Sequence, residues 1–241
     1  MLFRSNAALI DAVSSPLIQK TKLGEITQLP HSVMISTTTA SLELAILKDP
    51  RFRFRAWPEV YETMPDEQKM RENFFSLPVD ITHQFRYFDK NQGAMVERTE
   101  RKQFDMVPDG ICEIEHTNGD AIGLTIEAEN RKDTRANNLN HTSFLKTVLA
   151  YRHVTANRLY DDWGLTSLMV LFVTRSERKI NEMKKVVMEV TRGRGSSQFC
   201  FRTIPILGNP EKAPKPDDTL FTGAWDRAGH PPIALCDLFG D

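Results

Sequence analysis

No apolar run in this chain approaches the roughly 18 residues needed to cross a bilayer, and the first residues lack the continuous apolar core of a secretory leader. An intracellular, cytoplasmic protein without a membrane partner is therefore expected. Neither sign of charge is in excess: 31 basic and 32 acidic side chains leave a formal net charge of -1. A polyanionic partner would thus have to be held by a local basic patch, not by the field of the whole molecule. Cysteine is scarce. Cys112, Cys200 and Cys236 are odd in number and widely spaced, with no C-x-x-C pair, so reduced and mostly buried thiols are expected in place of a zinc or redox site. The histidines show no H-x-x-H or H-E-x-x-H spacing, and no G-x-x-x-x-G-K-[ST] loop occurs. Gly193-x-Gly195 lacks the strand and helix context of a dinucleotide fold. No internal repeat is present.

What is there is enough for one substantial core: 241 residues, 40% of them hydrophobic. Residues 1–28 carry a short amphipathic pattern broken by Ser14-Ser15-Pro16 and read as an N-terminal arm or the remnant of an upstream module. A helix is predicted from about Thr38 to Lys48, ended by Asp49-Pro50. From Arg51 to Trp57, arginines and apolar residues alternate with the period of a strand. Pro58 to Leu77 reads as a surface lid or spacer with a short helix near Asp66 to Phe74. Strands follow over Ile81 to Phe88, Phe104 to Glu115 and Ala121 to Glu129, the last two joined by an Asn118-Gly119 hairpin signal.

A helix is predicted over Asn138 to Arg158. The uniformly apolar run Ser167 to Thr174 reads as a strand buried on both faces. A helix over Ser176 to Val190 and a strand over Phe199 to Ile204 complete an α/β sandwich with a mixed central sheet flanked by helices, expected to span 29–207. The Pro- and Lys-rich stretch after Gly208 predicts that 208–241 wraps over the core in extended form.

The chemistry concentrates in three carboxylates. Period-two alternation on the Ala121 to Glu129 strand puts Glu127 and Glu129 on one face, and Pro108-Asp109-Gly110 lies across the hairpin from them. Crowded carboxylates raise one another's pKa, a cost that a hard cation such as Mg²⁺ or Mn²⁺ removes. Two plainer readings compete: Asp109 as a turn residue after proline, and Glu127 and Glu129 as a solvated face paired with Arg131, Lys132 and Arg135.

Val107-Pro108-Asp109-Gly110, Ile126-Glu127-Ala128-Glu129 and a following helix bearing Lys146 and Tyr151 resemble the restriction-endonuclease-like core of the PD-(D/E)xK superfamily. With Leu29-Pro30-His31 opening a first helix, Thr134 beyond the Glu-x-Glu-Asn-Arg stretch, and Val173-Thr174-Arg175 ending the buried strand, the chain is most similar within that superfamily to the replication-relaxation proteins of plasmids and mobile elements.

The resemblance implies a DNA endonuclease in plasmid or mobile-element replication and maintenance, with Asp109 and Glu127 as ligands to Mg²⁺ or Mn²⁺. It further implies partners among DNA and other replication or mobile-element proteins. The chain departs from the pattern at Glu129, which stands where the family carries its catalytic lysine. Lys132 or Arg131 in the next loop, or Lys146 on the next helix, are the substitutes on offer. The alternative is a catalytically inactive member of the fold acting as a DNA-binding or protein-interaction module. For phosphate contacts the sequence offers Arg53 and Arg55 on one strand face, Arg131, and the Arg192 and Arg194 loop. Basic groups that merely balance an acidic pocket are the competing reading.

Overall fold

A computed structural model describes residues 29–89, 91, 93–129, 134, 135, 138–204 and 216–240. The N-terminal arm, Arg131 and Lys132 lie outside the described residues. The first helix, α1 (Leu29–Ile46), starts nine residues earlier than the pattern from Thr38 predicts. Its start is masked by a Ser-Thr run of low helix propensity, whose members are accommodated by bonding backwards: Thr38 Oγ1 donates to Met34 O at 2.7 Å and Thr39 Oγ1 to Ile35 O at 3.0 Å.

Strand β1 (Phe52–Ala56) leads directly into α2 (Trp57–Thr63) and α3 (Asp66–Lys69). This region was expected to be a lid. Instead Val60 and Met64 are buried in the core, with Trp57 and Tyr61 packed against it.

Strands β2 (Leu77–Asp89) and β3 (Ala94–Met106) then form a separate two-stranded antiparallel ribbon. Its base buries Leu77, Val79, Ile81 and Met106 in the core, whereas its far end exposes Tyr87, Phe88 and Met95. The strand expected over Phe104 to Glu115 is interrupted: Val107, Pro108 and Asp109 separate β3 from β4 (Gly110–His116). Proline has no N–H to donate, which suits a break between strands.

The main sheet has seven strands in the order β1-β4-β5-β6-β7-β8-β9. Strands β1, β4 and β5 (Ala121–Ala128) are mutually antiparallel. The chain then crosses over through α4 (Phe144–Ala156) to the parallel β6 (Leu168–Thr174), and through α5 (Glu177–Val190) to the parallel β7 (Phe199–Thr203).

Both crossover helices pack on one face, against Ile111, Val170, Phe172, Phe199 and Phe201. The alternate residues Cys112, Leu124, Ile126, Leu171, Val173 and Cys200 face α1 and the C-terminal segment. All seven residues of β6 are buried, as a central strand covered on both faces requires.

Of the segment expected to wrap over the core, 208–215 lie outside the described residues, and 216–240 supply regular structure instead. After α6 (Thr219–Thr222), β8 (Ala224–Arg227) and β9 (His230–Ala234) extend the sheet itself, and Leu220, Phe221, Trp225 and Leu235 are buried. Burial pushes the Cys112 thiol up and that of Cys200 to about 12, so both are inert side chains of the core. No described helix is long and apolar enough to cross a membrane.

Candidate active-site cleft

The register Gly110↔Ile126 sets the start of β4 beside the end of β5, so Asp109 stands next to Glu127 one step beyond the ladder. α1 is held close at this point: a β-carbon on Gly110 would come within 3.2 Å of Ile35 Cγ2. Asp109 Oδ2 accepts from the Ala128 N–H at 3.0 Å, which ties the loop before β4 to the end of β5. The same oxygen is 3.0 Å from His31 Nε2, from the first turn of α1.

Glu127 is 4% exposed and Glu129 0%, because β5 is an interior strand flanked by β4 and β6. That position excludes the solvated edge face as a description of either carboxylate. Buried carboxylates need partners. Tyr151, in the middle of α4 and itself fully buried, donates its hydroxyl to Glu127 Oε1 at 2.7 Å. Burial and the adjacent Glu127 carboxylate hold the Tyr151 phenol well above its ordinary value, so it remains a donor.

The cleft at this point has a volume of about 200 Å³, and its wall includes Asp109, Glu127, Lys146, Asp105, Thr142 and Ser143. Ser143 caps α4, its hydroxyl accepting from the Lys146 N–H at 3.3 Å. The positive end of the helix therefore opens onto the acidic wall. The Lys146 ammonium lies 4.2 Å from the centre of the Phe104 ring. Burial, helped by Lys102, lowers its pKa. Glu129 is not part of this wall. Its main chain continues the ladder, its N–H donating to Val173 O at 2.8 Å and its carbonyl accepting from Thr174 Oγ1 at 3.0 Å.

No family model, curated protein or solved structure matches this chain. Its site therefore has to be read from its own geometry. Among the described residues, no group of three or more His, Cys, Asp or Glu is arranged to hold a metal ion. Of the residues singled out in the sequence, Asp109, Glu127 and Lys146 meet in one cleft, and Glu129 is buried away from it.

The arginines divide. Arg55, 9% exposed, is paired across the strands with Glu113 and Glu115, and Arg53 bridges Glu59 and Glu115. Arg55, expected on a face open to nucleic acid, is thus buried, and its charge offsets the buried Glu113 and the half-buried Glu115. Burial first, with Glu115 adding, raises the Glu113 pKa against the pull of Arg55.

Arg192 is exposed at the end of α5, and Arg194 lines a second cavity. His31 and Tyr151 were missed as site residues. In the sequence both stood only as motif residues without a site role; the packing of α1 and α4 brings them to Asp109 and Glu127.

Proposed function

We propose that this protein is a DNA-associated phosphodiesterase of the PD-(D/E)xK type, acting in plasmid or mobile-element replication and maintenance. One observation carries the reading: Asp109, Glu127 and Lys146, from the start of β4, the end of β5 and the first turn of α4, line a single cleft. Lys146, a cation from α4 lining the same cleft, is the candidate for the role of the lysine that Glu129 replaces. The oxygen donors of Asp109 and Glu127 fit a hard cation, since Mg²⁺ is commonly held by one or two carboxylates with water and substrate phosphate completing its shell. Bound there, Mg²⁺ or Mn²⁺ would polarise a phosphodiester and lower the pKa of a water. The chain's own part is to place Lys146 and the N-terminus of α4, both positive, where the charge of a phosphoryl group would collect.

A second reading is an inactive member of the same fold that binds DNA or protein. The observation favouring it is that Asp109 and Glu127 both serve as hydrogen-bond acceptors for the protein itself, from Ala128 and Tyr151. Incubation of supercoiled plasmid with the protein and Mn²⁺ separates the two. Nicking by the wild type and none by Asp109→Ala is expected. Absence of nicking by both proteins leaves the inactive reading, and failure to retard DNA at low salt as well leaves protein interaction.

A further inference from the structure

A second cavity, of about 360 Å³, lies at the opposite end of α4, between its last turn and the connection from α5 to β7. Arg152, Arg194 and His230 stand in its wall with Ser196, Ser197 and Gln198, and no carboxylate does. Two arginines in one wall repel, and the Arg194 charge is felt at Arg152. Neither has an acidic partner among the described residues.

Each guanidinium is anchored by a single nitrogen: Arg152 Nη1 donates to Val190 O at 2.7 Å, and Arg194 Nε donates to Thr191 O at 3.3 Å. Capping the last carbonyls of α5 accounts for one donor of each fork. A guanidinium carries five N–H groups, and the remaining nitrogens donate to no other group among the described residues. Arg194 is exposed and Arg152 half-buried, so the remaining donors of both are open to solvent and to an anion entering the cavity they line.

The wall is also held rigidly. Gly195 has φ +71° and lies so close to the β8–β9 turn that a β-carbon would fall 1.9 Å from Ala228 O. The Gly195 N–H donates to Thr191 Oγ1 at 2.9 Å, and the Ser196 N–H to Ala228 O at 2.9 Å. Two interlocked turns thus fix the backbone that carries Arg194, Ser196 and His230 around one space, which lowers the part of the entropy cost of binding that comes from ordering the chain.

We propose that this cavity is a phosphate-binding site, with Arg152 and Arg194 holding the anion through their guanidinium forks and the serine hydroxyls completing the shell. Paired guanidinium groups with neighbouring hydroxyls match the acceptor oxygens of a phosphate. The phosphate could belong to a nucleic-acid backbone or to a free phosphate or phosphomonoester. The site does not depend on metal binding or cleavage at the acidic cleft.

Calorimetric titration of the full chain with inorganic phosphate at constant ionic strength tests it. Saturable binding is expected, weakened roughly tenfold or more in Arg194→Gln and in Arg152→Lys, which keeps a cation near the α5 carbonyls but loses the fork. Arg178→Gln, an exposed arginine on α5 outside the cavity wall, should bind as the wild type does.

Competition with a short single-stranded DNA identifies the source. If the phosphate is a backbone phosphate, the oligonucleotide displaces inorganic phosphate, and the salt dependence of DNA binding falls by about one in Arg194→Gln. If it is a free phosphate compound, DNA binding is the same in both proteins. No saturable phosphate binding by the wild type, or equal affinity in wild type and Arg194→Gln at matched unfolding midpoints, overturns the proposal.

Discussion

The two ends of α4 face opposite chemistries. At its N-terminus lie Asp109 and Glu127, and at its C-terminus Arg152 stands with Arg194. Both arrangements suit the helix dipole, which favours anions at the first turn and cations at the last. They differ in how the charge is answered within the protein. The acidic end is closed by Tyr151, the Ala128 N–H, His31 and the nearby Lys146. Among the described residues, the basic end meets only the carbonyls of Val190 and Thr191. A compensated cluster can be rigid without a ligand, whereas an uncompensated pair of cations gains most when an anion arrives. One helix thus separates the cleft proposed for chemistry from the cavity proposed for phosphate binding.

The largest effect is expected at the residue that ties the two ends together. The Phe172 ring packs against Phe144 and Tyr151 on the acidic side and against Phe199, which lines the basic cavity. Phe172→Ala should cost about 3–5 kcal/mol in denaturant unfolding and weaken phosphate binding along with any cleft activity. A loss confined to one end would show that the ends are mechanically independent.

Tyr151→Phe sharpens the contrast from the acidic side alone. It removes the donor to a buried Glu127 oxygen and should cost about 1–3 kcal/mol, with phosphate affinity at the far cavity unchanged.

Lys146→Met should change stability by no more than about 1 kcal/mol, because the lost contact with Phe104 is offset by relief of a partly buried charge. Its pH signature is specific. The folded-state pKa of Lys146 is lowered, so between that value and the ordinary 10.5 the unfolded chain binds the additional proton, and stability rises with pH across that window. Unfolding curves of Lys146→Met should lack this rise. An identical slope in both proteins would remove Lys146 as its source.

The smallest effect is expected at Arg192, which holds φ 54° directly after the α5 cap, where glycine is the usual occupant. Arg192→Gly should be neutral or stabilising by up to about 1 kcal/mol in thermal unfolding and leave phosphate binding intact. A loss of phosphate binding in this variant would extend the basic site to the outer loop.

Local pattern carried much of the architecture. The apolar run ending at Thr174 is β6, the Ser176 cap starts α5, and the alternation from Ala121 places Glu127 on the face that α4 covers. β3 was illegible because its run from Glu97 to Lys102 has no apolar face, and only pairing with β2 makes it a strand. The final strands were hidden for a related reason. Ala224–Arg227 and His230–Ala234 are short and rich in polar residues and proline, and their strand conformation comes from ladder bonds to β7 and to each other.

What the sequence determined alone was therefore one-dimensional: which side chains share a face of β5, where α5 begins, and that two carboxylates sit near a strand end, whereas α4 starts at Phe144, six residues after the predicted Asn138. The tertiary structure decided which distant groups meet them. Sheet order brings Asp109 beside Glu127 and buries Glu129, and the docking of α1 and α4 adds His31, Tyr151 and Lys146. Likewise it puts Arg55 against Glu113 and Arg194 beside Arg152. The physical reason is that dihedral preference and hydrophobic period act over a few residues, whereas a site is a set of contacts between segments whose closeness is decided by how the whole core is buried.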